Sequence, residues 1–198
     1  MNVRDHAVLV LFLITAFLFL ACNKPPTAEK NQTDQSAIQT SSNAADAPFD
    51  LQFLDTMTVH HQVAIDMAKM CQGKAQHPEL LTSANNIAAA QQEETAKMKQ
   101  WRDDWFAGQP SAMNAEMDGM KESMKDMDMN ELGSLTGNTF DLEFLRQMIP
   151  HHTGALLMAN TAFQKAEKNE TKMLATDILK TQSAEIRQMQ EWQKAWSK

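Results

Sequence analysis

From Phe49 onward apolar residues recur at helical spacing. At 100° per residue Phe53, Met57, His60, Ala64 and Met67 fall on one face of a helix. Further on, Ile87, Gln91, Glu94, Met98, Trp101 and Trp105 form a second stripe of heptad type. Gly73 and Pro78 punctuate the stretch between them, so the pattern predicts helix, loop and helix. The whole pattern then returns. An offset of 91 residues sets 49–105 against 140–196 without a gap, with 21 of 57 positions identical. This is an internal duplication. Phe144, Met148, His151, Ala155 and Met158 repeat the first face, and Ile178, Gln182, Glu185, Met189, Trp192 and Trp196 the second. One hairpin cannot hide its apolar stripe alone; two packed with pseudo-twofold symmetry make an all-α four-helix bundle. Asp50 and Asp141 are expected as N-caps of the first helix of each repeat, with Phe49/Leu54 and Phe140/Leu145 as hydrophobic staples.

The bundle therefore occupies 49–198: repeat one 49–105, a connector 106–139 and repeat two 140–196. Ahead of it, Arg4 precedes an apolar run from Ala7 to Ala21, too short for a comfortable membrane span and suited to a secretory signal over 1–21. The run ends in Leu-Phe-Leu-Ala-Cys, which resembles a bacterial lipobox and implies cleavage before Cys22 and acylation of that cysteine. Residues 22–48 are polar and poor in large apolar side chains, as in a disordered tether. The expected location is extracytoplasmic, on a lipid anchor at a membrane, facing a periplasm.

Composition narrows the function. A net charge of −7 offers no basic stripe to neutralise phosphates, so nucleic acid is excluded as a partner. Fifteen methionines and no tyrosine are an unusual balance. Each repeat carries a His-His pair, His60/His61 and His151/His152, with Met57 or Met148 three and four residues earlier. Imidazole and thioether together suit Cu(I), and imidazole also accepts Cu(II). Residues three or four apart on a helix have Cβ atoms about 5–6 Å apart, close enough to share an ion. Glu94 and Glu185 lie on the inward stripe and can fix an imidazole tautomer or serve as hard ligands. The alternative is a structural or partner-binding bundle in which His–Glu pairs serve stability only. Between the repeats, 113–129 holds six methionines; Met113, Met117, Met120, Met124 and Met127 share one arc if the segment is helical, either as a thioether site or as a packing stripe. Pro150 is expected to interrupt the third long helix. Cys71 reads as a buried thiol. No nucleophile–base set, phosphate loop or CxxC occurs, and the Glu-x-x-His pattern of di-iron bundles is missing, so no enzyme is expected.

The motifs MTVHHQVAIDMA (57–68) and MIPHHTGALLMA (148–159) resemble a bacterial family, that of domain of unknown function 305, over about 49–196. The resemblance implies a ferritin-like four-helix bundle and, from some members, periplasmic copper binding linked to copper tolerance. It implies as ligands His60, His61, Met57 and Met67 with His151, His152, Met148 and Met158. Copper, with Cu(I) favoured, is the expected ligand, and no protein partner can be named. Members often carry glycine where repeat one has Val63 and repeat two Gly154, so repeat one is expected to be the more closed.

Overall fold

The computed structural model describes residues 38–198. The signal segment, Cys22 and most of the tether lie outside the described residues. Four long helices build the fold: α1 (Phe49–Met70), α2 (Pro78–Phe106), α5 (Gly137–Lys165) and α6 (Asn169–Trp196). Two short ones, α3 (Met120–Met124) and α4 (Met129–Ser134), lie in the connector. Each repeat is a hairpin, α1 with α2 and α5 with α6, and the hairpins meet through α1 and α5.

The two aspartates expected as N-caps do something else. α1 is entered from Pro48 and α5 from Thr136, neither with a side-chain cap. Asp50 instead accepts from the backbone N–H groups of Glu167 and Lys168, at the start of α6. Asp141 accepts from those of Gln76 and His77, at the start of α2, and from His77 Nδ1 at 2.6 Å. Each repeat thus caps the other's second helix, satisfying N–H groups that a helix start leaves free. These contacts also make α1 and α5 antiparallel. The exchange is finished by stacking: His77 lies on Trp196 at 3.9 Å, and Lys168 stands over Trp105 at 5.2 Å.

The core has two apolar halves, mates under the pseudo-twofold. One joins Phe53, Leu54 and Met57 of α1 to Met98, to Ala155, Met158 and Ala162 of α5, and to Leu174 and Ile178 of α6. The other joins Phe140, Phe144 and Met148 of α5 to Ala64, Met67 and Cys71 of α1, to Leu80 and Ala84 of α2, and to Met189. Burying one large apolar side chain is worth roughly 1.5–3 kcal/mol against the cost of ordering it.

Three details depart from the sequence reading. Residues 38–48, assigned to the tether, are docked: Ser41 N–H bonds Met113 O at 2.8 Å, and Ala44 is buried. α5 runs unbroken across Pro150. The carbonyl that loses its N–H partner there belongs to Arg146, four residues earlier and exposed, where water can take it. The methionine stretch is no continuous helix, because only Met120–Met124 is helical in its middle. Met117 and Met120 are buried in the first apolar half, Met124 packs against it, and Met127 packs against the second. Met113 is half-buried.

Candidate metal centre

All four helices cross from one apolar half to the other at the same level, and there the buried side chains are polar. α1 contributes His60 and His61, α2 Gln91, α5 His151 and His152, and α6 Gln182. All four histidines are 0% exposed. At the centre the rings of His60 and His151 face each other, centroids 3.7 Å apart. The carboxylates of Glu94 and Glu185 go to the outer pair and not to this inner one: His61 Nε2 donates to Glu94 at 2.7 Å and His152 Nε2 to Glu185 at 2.9 Å. A carboxylate only accepts, so Nε2 carries the proton and Nδ1 is the nitrogen left to offer a lone pair.

The connector breaks the symmetry. His60 Nε2 donates to the backbone carbonyl of His151 at 3.2 Å and lies 3.0 Å from Ser123 Oγ. His151 has no such partner: both its ring nitrogens are buried and unbonded. Ser123 reaches the centre because α3 sits directly on α5. A Cβ at Gly154 would stand 1.8 Å from Ser123 Oγ and 2.2 Å from Gly119 O, so only glycine allows the approach. Gly119, at φ 95°, makes the turn that enters α3. Gly154 is therefore filled by the connector, and the expectation that it leaves repeat two more open is corrected; its counterpart Val63 is buried too.

Burial, then the neighbouring imidazoles, hold His60 and His151 well below the usual histidine range. Both are neutral at pH 7, with lone pairs free. An unfolded chain takes up these two protons below about pH 6.5, and the folded one does not, so stability is intact above 6.5 and lost as pH falls below it. We expect urea unfolding of the metal-free chain to lose about 2–3 kcal/mol between pH 7.5 and 5.5, near 1.4 kcal/mol per histidine per pH unit. A flat profile would place protons on the pair already in the folded state.

The nitrogens left bare are His60 Nδ1, His61 Nδ1, His152 Nδ1 and both of His151. Such a set fits a soft or borderline cation. Among the described residues, however, no three His, Cys, Asp or Glu side chains converge as a finished metal cage. Other donors have to complete it. The thioethers stand next to the layer, sorted across the repeats: Met57 and Met158 share one apolar half, Met67 and Met148 the other. Met98 and Met189 join them, one in each half. The sequence reading passed over this last pair, although the offset of 91 aligns them. Cys71 is no donor in its resting state, since burial and then the charge of Asp141 push its thiol up to about 12.

A family profile described as "Domain of unknown function (DUF305)" matches residues 50–193. The chain belongs to the DUF305 family. The resemblance carried by the two His-His motifs is thereby borne out, as is the helical-bundle fold. Among solved structures, this DUF305 chain is similar to CopM in its Cu(I)-bound form, at 42% identity and TM-score 0.64, covering 74% of this chain and 96% of CopM. The Cu(II)-bound form of CopM gives 42% identity and TM-score 0.65, with coverage of 74% and 97%. A DUF305 protein of Streptomyces coelicolor, described as a candidate secreted protein, gives 28% identity and TM-score 0.66, with coverage of 76% and 94%. No curated protein matches the chain.

Proposed function

We propose that this DUF305 protein is an extracytoplasmic copper-binding protein, held at a membrane by an acylated Cys22, that sequesters or passes on Cu(I) and so contributes to copper tolerance. One observation carries the reading: a fully buried layer of imidazoles with bare nitrogens, set between two methionine-bearing halves of the core. Leaving buried polar atoms unbonded costs about 1–3 kcal/mol each, and a bundle selected only for stability would fill the layer with leucine. The similarity to CopM, solved with Cu(I), with Cu(II) and with silver, supports copper as the ion. The role is binding and not catalysis, since burial of the imidazoles suits holding an ion more than admitting an organic substrate. The competing structural reading draws on the His61–Glu94 and His152–Glu185 bonds, which would stabilise the bundle without any ion. It leaves the five unbonded nitrogens of the inner pair and their mates unexplained.

Titration of the purified full chain with Cu(I) under reducing conditions tests this. More than one equivalent should bind. The helical signal should be equal with ion or with chelator, and the ion should raise the melting temperature only by mass action. No bound copper at micromolar concentrations, or unfolding by chelator, would contradict the reading.

A further inference from the structure

The polar layer holds two residues that the His/Met motifs do not include. Gln91 and Gln182 are 3% and 2% exposed, and both the oxygen and the nitrogen of each side-chain amide lack a partner. They are mates at the offset of 91, so both repeats bury the same amide at the same level. We propose that Gln91 and Gln182 supply the oxygen donors of a central site for a borderline divalent ion, Cu(II), distinct from the thioether positions that take Cu(I); this deepens the copper reading and rests on it.

Three observations support the assignment. Each glutamine lies three residues before the glutamate that bonds an outer histidine, Gln91 before Glu94 and Gln182 before Glu185. On a helix that spacing brings the Cβ atoms to about 5–6 Å, so amide, carboxylate and imidazole occupy one level of the bundle. Next, imidazoles and carboxylates do not by themselves make a three-membered cage among the described residues. A site in this layer would need a donor of another type, and the glutamines lie there, Gln91 between Ala84 and Met98 and Gln182 between Ile178 and Met189, pairs that belong to opposite apolar halves. Finally, the donor chemistry sorts the ions. Imidazole nitrogen with amide oxygen suits Cu(II), for which a glutamine oxygen is a known weak ligand, whereas thioether sulfur favours Cu(I) and Ag(I).

The test is the full-length double variant Gln91→Leu/Gln182→Leu, compared with wild type for Cu(II) binding, Ag(I) binding, the electron paramagnetic resonance spectrum of bound Cu(II) and the melting temperature of the metal-free chain. We expect Cu(II) affinity to fall about 10–100-fold, the range for lost partners of a metal site. The spectrum of residual Cu(II) should change, Ag(I) affinity should stay within about twofold of wild type, and the metal-free chain should melt no lower, since unpaired polar atoms have been removed. Gln91→Met/Gln182→Met, closer in shape, should show the same loss of Cu(II) while its added thioethers leave Ag(I) binding as tight or tighter, and serves if the leucine variant folds poorly. Unchanged Cu(II) affinity and spectrum in a folded variant would overturn the assignment and leave the glutamines as packing residues. Equal loss of both ions would also overturn it. Wild type that binds Cu(I) and Ag(I) but not Cu(II) would sink this proposal alone, and wild type that binds none of the three would sink the copper reading with it.

Discussion

Gly154→Val should lower the melting temperature of the chain by about 5–10 °C, corresponding to a loss of roughly 3 kcal/mol. The valine is no foreigner to the fold, because repeat one carries Val63 at the equivalent place and buries it. At position 154 its Cβ would collide with Ser123 Oγ at 1.8 Å and with the Gly119 carbonyl at 2.2 Å. A serine can rotate away; a backbone carbonyl cannot. Relief requires α3 to lift off α5, and that movement uncovers Met117 and Met120 and removes Ser123 from His60. Differential scanning calorimetry of wild type and variant checks it. An unchanged melting temperature would mean that the connector does not rest on Gly154.

Much of this architecture was legible in the chain because it is written twice. The 91-residue offset shows the hairpins, the inward phase of His60 and His151 and the place of His61 and His152 about 100° round the helix. What escaped it was whatever one repeat does to the other. Asp50 and Asp141 have the right residue type and place for local caps, yet each reaches across to the opposite hairpin's loop, and nothing local distinguishes the two uses. The carboxylates of Glu94 and Glu185 share a stripe that points inward, but which histidine they meet depends on the rotation of α2 against α1 and of α6 against α5. Met98 and Met189 stand at retained positions on the second stripe, and a stripe alone does not separate a thioether donor from a packing residue. The connector has no second copy to compare with. Its methionines invited a helical arc, while Gly119 and the need to reach both halves of the core divide it into short pieces.

The largest effect on binding is expected from His60→Leu/His151→Leu. His151 has no partner for either ring nitrogen, and His60 leaves Nδ1 bare. Leucine fills a similar volume, and Ser123 keeps its bond to the Gly119 carbonyl. Removing unpaired buried polar atoms should hold or raise stability, by up to about 1–3 kcal/mol in all, or roughly 2–12 °C in melting temperature. The loss of stability below pH 6.5 should flatten with it, because the two groups that cause it are gone. If the layer exists for copper, the same substitution should weaken copper binding at the imidazole sites by at least about tenfold. The decisive measurement is therefore the melting temperature and the bound copper of this double variant, determined in one sample. The double variant should melt as high as wild type or higher and hold less copper; a well-folded variant with copper stoichiometry and affinity unchanged would refute a metal role for His60 and His151.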